Sequence, residues 1–201
     1  MKASDNTPGS LGKPATTDEY LRAVTIGARK PHNGPVELVP YDPGWPTQFS
    51  LQANRIRSAL SGKVILLEHV GSTSVPGLSA KPVIDMVLAV SNSADEPSYV
   101  PQLEAQGFVL RIREPDWFDH RLLKAPDIEG NLHVFSGGCD EIERMLTFRD
   151  WLRVHEPDRL LYEKTKRELA ARTWKDVQNY ADAKSEMIQE ILMRAQGSTL
   201  S

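Results

Sequence analysis

Cysteine occurs once in 201 residues, at Cys139 in the polar loop Ser136–Asp140. No intrachain disulfide can form, which excludes a disulfide-scaffolded secreted domain, and the thiol reads as an ordinary loop cysteine. Long apolar runs are missing too. The longest, Met86–Val90, is far short of the roughly 20 residues that cross a bilayer. A surplus of one charge is also absent: Lys plus Arg is 24, Asp plus Glu is 27, and the formal net charge is -3. The chain therefore lacks the broad basic footprint of a general nucleic-acid binder, although a local basic pocket stays open. No internal repeat is visible, and Met1–Pro8 carries no apolar core of a signal peptide. What is present is ordinary: 40% hydrophobic and 25% charged residues, a usage that excludes full disorder and a collagen-like chain. The expectation is a cytoplasmic protein with no membrane association and one domain's worth of chain.

Residues 1–17, rich in Gly, Pro, Ser and Thr, are expected to be a disordered tail, and 18–35 a variable extension with a short helix from Asp18 to Val24. Gly9-Ser10-Leu11-Gly12-Lys13 lacks the Walker spacing and the flanking strand and helix, so it is not read as a phosphate loop. The folded domain is expected over 36–196. Val36–Val39 alternates weakly, as an edge strand would. A helix is expected from Pro46 to Leu60, with Phe49, Leu51, Ala53, Ile56 and Leu60 on its buried face. Strands follow at Val64–His69 and Pro82–Val90, then a helix over Pro97–Gln106 that Gly107 ends. Further strands are expected at Phe108–Ile112, Arg121–Lys124 and Asn131–Phe135. Asp140–Arg194 reads as three helical pieces broken near Pro157 and Thr173. The fold class is α/β (α+β): a mixed sheet flanked by helices, closed by a helical C-terminal segment.

Between the first two strands lies Gly71-Ser72-Thr73-Ser74-Val75-Pro76-Gly77-Leu78. Glycine permits close backbone approach, and the amides and hydroxyls of Ser72, Thr73 and Ser74 suit phosphate oxygens. Lys81 adds charge at the far end. Such loops are commonly plain turns, but Asp85 sharpens the signal as the single charged residue in Pro82–Val90. A carboxylate there needs a hydrogen-bonding, ionic or metal partner. Magnesium held between a carboxylate and substrate phosphates suits the pair.

The run Glu68-His69-Val70-Gly71-Ser72-Thr73-Ser74-Val75-Pro76-Gly77-Leu78, continuing through Lys81-Pro82-Val83-Ile84-Asp85, closely resembles the GrpB family signature. The resemblance extends from Val36 to Lys184. GrpB proteins are similar to the nucleotidyltransferase superfamily, whose pattern is a Gly-Ser step followed by a strand with two alternating carboxylates. The resemblance implies that Gly71 and Ser72 hold phosphate and that Asp85 is the first carboxylate. The second belongs at position 87, where this chain has Val87. Two-metal phosphoryl chemistry needs enough anionic ligands for both ions, so this departure leaves a weaker single-metal site or no catalysis open. The family also has relatives joined to dephospho-CoA kinase, which implies that a supporting role is open.

In Asn131–Phe135, where the superfamily carries a third carboxylate, His133 alternates against Leu132 and Val134. It is a candidate metal ligand, phosphate donor or proton carrier, or else a histidine satisfied by backbone. Glu68 and His69 are further candidates, Glu68 as a metal ligand. On the expected last helix Lys184 lies within the apolar sector of Val177, Ala181, Ile188, Ile191 and Leu192, with Tyr180 at its edge. Arg149 lies among Ile142, Met145, Phe148 and Leu152. Cations on buried stripes meet an anion or pair with a carboxylate such as Asp85 or Glu68. Arg111 and Arg113 suggest a small basic edge; His120, Arg121, Lys124 and the loop Pro115–Asp119 suggest a substrate mouth.

Two functional expectations follow. One is a magnesium-dependent nucleotidyltransferase-like enzyme that binds a nucleoside triphosphate on Gly71, Ser72, Thr73, Ser74, Lys81, Arg149, Tyr180 and Lys184. Asp85, His133 and Lys184 would carry its chemistry toward a small-molecule hydroxyl or amine. The alternative is a non-catalytic nucleotide- or phosphate-binding module, or a partner or folding domain for a metabolic enzyme.

Overall fold

The structure is a computed structural model that describes residues 13, 16–28, 36–174 and 177–198; most of the expected tail of residues 1–17 lies outside the described residues. Among these, the elements are α1 (Asp18–Val24), α2 (Trp45–Leu60), β1 (Leu66–Val70), β2 (Ile84–Val90), α3 (Val100–Glu104), β3 (Val109–Glu114), β4 (His120–Lys124), β5 (Gly130–Ser136), α4 (Asp140–Val154), α5 (Glu156–Ala170), α6 (Val177–Asp182) and α7 (Ser185–Ser198). The strands form one five-stranded sheet in the order β1-β2-β5-β4-β3. Only β2 and β5 run parallel; the remaining neighbours are antiparallel. This is the mixed, helix-flanked sheet that the sequence implied.

Strand pleating gives the two faces different characters. Met86, Leu88, Leu132, Val134 and Leu123 point to one face and pack against Ala53, Ile56 and Leu60 of α2 and Leu103 of α3 in the main core. Each such side chain contributes roughly 1.5–3 kcal/mol when fully buried. Leu51, expected on that buried face, is 60% exposed, because the stripe through Ile56 and Leu60 turns it to solvent. On the opposite face, Val70, Val87, Ala89 and Phe135 pack with Trp117 and with Ile142 of α4. The same face becomes polar toward β4 and β3. A third cluster joins Val75 and Leu78 of the loop to Leu152, Tyr162 and Ile191 of α4, α5 and α7, so the loop is clamped by the C-terminal helices.

The helix at Asp18–Val24 forms as expected, capped by Thr17 Oγ1 accepting from Tyr20 N at 3.0 Å. Several elements differ from expectation. Val36–Val39 makes an isolated bridge, Val39 to Ala80, in place of an edge strand. The helix expected over Pro97–Gln106 is a 3-10 turn at Glu96–Ser98 followed by the short α3. Pro97 and Pro101 each lack an N–H donor, which interrupts the ladder. β1 begins at Leu66, two residues later than expected. The last helical piece is split: α6 ends at Asp182, and Lys184 O accepts the first bond of α7 from Ile188 N at 3.0 Å.

Candidate functional site

The turn after β1 is built around Gly71. Its φ is +69, and a Cβ there would lie 2.7 Å from Asp85 Oδ2, so only glycine brings the backbone this close to the carboxylate. The next three residues form a 3-10 turn. Ser74 Oγ donates to Gly71 O at 2.6 Å, Thr73 Oγ1 donates to Val83 O at 3.0 Å, and His69 Nε2 lies 3.0 Å from Thr73 Oγ1. Since the threonine proton goes to Val83, the His69 ring donates. Burial, with Arg153 and Arg149 nearby, pushes His69 down to about 4, so it is a neutral structural donor. These hydroxyls hold the loop's shape, whereas Ser72 meets the Tyr162 hydroxyl, which burial raises to about 12 against that contact.

A cavity of about 770 Å³ opens beside the loop over the polar part of the sheet. Ser72, Asp85, His133 and Lys184 all line it, together with Thr73, Lys81 and Tyr180. Register explains the sheet contribution. Asp85 is opposite Asn131 across the parallel pair, and His133 is opposite Leu122 of β4, so these side chains share one face. Asn131 Nδ2 donates to Asp85 Oδ1 at 2.7 Å, and Lys124 Nζ donates to Asn131 Oδ1 at 2.6 Å. Burial raises the Asp85 carboxyl, and Asn131, Lys184, Lys124 and Lys81 partly offset it. His133 Nε2 lies 4.0 Å from Asp85 Oδ1. Its Nδ1 is 3.1 Å from His120 Nε2, and His120 Nδ1 is 2.6 Å from Glu114 Oε2. Burial lowers both imidazoles, most strongly His133.

The helical wall supplies cations. Lys184 stands over the Tyr180 ring at 4.3 Å, and burial lowers its amine despite Tyr180, Asp85 and Asp182. Lys166 of α5 also lines the cavity and is only 1% exposed. It donates to Ser79 O at 2.5 Å and lies 5.0 Å from the Tyr162 ring centroid. Burial and the neighbouring Lys184 charge bring it from 10.5 down to about 7 against the pull of Glu163. Among the described residues neither lysine has a carboxylate within ion-pair distance. The Tyr180 hydroxyl, on a residue 4% exposed, is buried without a hydrogen-bond partner there. Arg144, by contrast, is already matched to Glu141 by two bonds of 2.8 Å.

Four expected site residues do not line the cavity: Arg149, Glu68, Gly71 and Ser74. Arg149 Nη1 donates to Glu68 Oε2 at 2.8 Å and to His69 O at 3.0 Å, while its Nε donates to Asp150 Oδ1 at 2.8 Å. Neither Arg149 nor Glu68 lines the cavity. Each pairs with the other between α4 and β1, so Arg149, expected as a phosphate cation, and Glu68, expected as a metal ligand, both stand apart from the cavity. Gly71 and Ser74 shape the loop from behind without lining the cavity. Arg113 and Arg121 both pair with Glu96 rather than forming a free basic edge or mouth.

The expected magnesium site meets a poor donor set. Val87 is fully buried in the apolar cluster against Val70 and Phe135, and position 131 offers an amide already engaged with Asp85. Among the described residues no three His, Cys, Asp or Glu side chains are grouped to hold a metal. The residues do not fit a resident metal pair. Sequence reasoning missed Lys166, Glu114, Asn131 and Tyr162 as site members. Of these, Lys166 carried a signal: with Tyr162, Leu169 and Ala170 it lies on the buried face of α5.

A mixed sheet with a glycine-serine turn against a strand carboxylate, and a cavity with lysines in its wall on the same face, defines the class as an α/β domain with a ligand-sized cavity beside that turn. Residues 35–194 match the family described as GrpB protein, and the chain belongs to that family. A UPF0157 protein of Halalkalibacterium halodurans is 59% identical over 179 residues, 89% of this chain and 92% of that one. The crystal structure of conserved protein GrpB from Enterococcus faecalis superposes with a TM-score of 0.69 at 26% identity, covering 82% of this chain and 100% of that one. A dephospho-CoA kinase of Mycolicibacterium paratuberculosis is 28% identical over 86% of this chain and 49% of its own length. Among the described residues no helix is long and apolar enough to cross a membrane.

Proposed function

We propose that the cavity binds a nucleoside triphosphate, with the phosphates between the Ser72 turn and the Lys166–Lys184 wall. The observation that carries this reading is buried Lys166 with half-buried Lys184, neither with a carboxylate partner among the described residues, beside a buried Tyr180 hydroxyl that lacks a hydrogen-bond partner there. Uncompensated buried cations are costly, and an anion that enters their site recovers that cost. Lys81 and the Ser72 hydroxyl extend the site toward the sheet. Phosphate binding needs no second carboxylate at position 87, so Val87 is compatible with this reading. No step here depends on magnesium, for which the fit above offers no resident pair. Calorimetric titration with each nucleoside triphosphate tests the proposal. Micromolar to millimolar binding that weakens at least ~10-fold in Lys184→Ala is expected, from loss of a charge-assisted contact. Flat titrations for all four nucleotides would sink it.

A second reading, nucleotidyl transfer to a small-molecule hydroxyl or amine, is favoured by one further observation. Asp85 and His133 face the same cavity beside the loop, where an attacking group would meet the α-phosphate. Their contribution would be positioning and charge placement. Pyrophosphate release in the presence of a metabolite pool, lost in Asp85→Ala, is its signature. Nucleotide binding with no release under any acceptor leaves a binding module.

A further inference from the structure

β3 is the last strand of the sheet, and its outer edge presents backbone groups that need partners. The chain supplies them from far upstream. Thr25 makes an antiparallel bridge to Ile112, Ile26 N donates to Arg111 O at 2.8 Å, and Arg111 Nη2 donates to Ala28 O at 2.6 Å. The Ile26 side chain packs against the main core. Thr25–Ala28 is therefore a firm root on the β3 edge.

Ahead of that root the chain is held differently. Val24 is the buried residue of α1, so little apolar burial secures the helix. Polar side chains instead converge on one carboxylate, that of Glu114, which is 3% exposed. The Tyr20 hydroxyl donates to Glu114 Oε1, and Lys13 Nζ lies 3.1 Å from the same oxygen. Lys13 Nζ also stands 4.5 Å from the centre of the Trp117 ring, a cation over an aromatic face. Lys13, Thr16, Glu114 and Trp117 all line the cavity. Burial would raise the Glu114 carboxyl, but His120, Lys13 and Tyr20 together hold it at about 2, so it is an anion at neutral pH. A bare carboxylate in the wall of a phosphate site repels the ligand, and Lys13 offsets that charge from within ion-pair distance.

The geometry points to residues 16–28, with Lys13 ahead of them, as a strap over the cavity that makes it fit for an anion. Docked, the strap masks Glu114 with Lys13. Released at Glu114, it bares the carboxylate while the Thr25–Ala28 root stays on β3. The masking rests on the phosphate reading of the cavity, whereas the latch and the root are independent of it. Lys13 is a positioning residue, acting through Glu114.

Amide hydrogen exchange of the full chain reads the two attachments separately. The Leu21 amide, bonded to Thr17 O at 2.9 Å, reports the strap, and the Ile26 amide reports the root. Leu21 is expected to exchange faster than Ile26, and Tyr20→Phe should speed Leu21 about tenfold without changing Ile26. Concerted exchange of both amides, or an unchanged Leu21 in Tyr20→Phe, would overturn the strap. Calorimetry with ATP reads the masking. Lys13→Met should weaken ATP binding about tenfold, and adding Glu114→Gln to it should restore affinity to within about threefold of the wild type. A merely structural contact would lose more in the double variant instead of recovering. Unchanged ATP affinity in Lys13→Met, or no recovery in a folded double variant, would overturn the masking. If the double variant fails to fold, the Lys13→Met affinity and the exchange comparison decide. Failure of ATP to bind the wild-type chain removes the phosphate reading and the masking with it, and the exchange pattern still upholds or overturns the strap.

Discussion

Gly71 shows how a single residue type decides the site. With φ at +69 and Asp85 Oδ2 only 2.7 Å from where a Cβ would stand, Gly71→Ala is both strained and clashing. We expect a loss of about 1–3 kcal/mol in unfolding free energy, read by chemical denaturation, together with weakened nucleotide binding. Lys166 makes a different prediction. Its amine titrates near 7 in the fold, against 10.5 for an ordinary lysine. Between those values the unfolded chain binds more protons, so the lysine's contribution makes stability rise with pH over that window, and the burial penalty is fully present below it. Lys166→Met should remove this rise in a series of melts. A phosphate ligand should also re-protonate the amine, so binding at pH 8 is expected to take up protons, seen as a dependence of calorimetric heat on buffer ionisation. No proton uptake would remove Lys166 from the phosphate wall.

How much of the site was legible follows from the same residues. Gly71, Ser72 and Asp85 could be read because their chemistry is local: a glycine turn and one charge in an apolar strand. His133 was legible through simple alternation with Leu132 and Val134. Arg149 was legible only as a choice, because a buried stripe reveals that a cation needs a partner without deciding between a ligand anion and a carboxylate such as Asp85 or Glu68; the structure pairs it with Glu68 across the α4–β1 contact. Glu114, Asn131 and Lys166 come from three distant segments, and nothing local in the sequence announces that strand register and helix docking bring them to one cavity.

At the scale of elements, β2 determines what chemistry the sheet offers. Asp85 faces the cavity, but Val87, two residues on and on the same face, is already beneath α4 in contact with the Val70–Phe135 cluster. Restoring the missing carboxylate as Val87→Asp should therefore destabilise the protein by about 3 kcal/mol or more without creating magnesium dependence. A stable variant with tight magnesium binding would contradict this placement. The strand and helix order was visible in the periodicity, since β2, β5 and α2 all have clear apolar patterns. The α6–α7 break was not, because Ala183–Lys184 contains neither glycine nor proline. The break is nonetheless what places Lys184 at the helix start facing Asp85, rather than midway along a continuous helix.

For the whole molecule, a formal net charge of -3 and a cavity lined by buried Lys166 and half-buried Lys184 make a consistent pair. The positive charge at the cavity is local, which suits a small anion, and the net charge gives a long polyanion no general electrostatic attraction. Single-stranded RNA is accordingly expected to show no gel-shift at concentrations where nucleotides bind. The central claim is that this lysine wall recognises phosphate. Its most direct test is calorimetry of the full chain with ATP and with adenosine, repeated on the Lys166→Met, Lys184→Met double variant. The account predicts measurable binding of ATP, none of adenosine, and at least ~10-fold loss of ATP affinity in a folded double variant. Equal binding of ATP and adenosine, or ATP affinity unchanged without the two lysines, would contradict it.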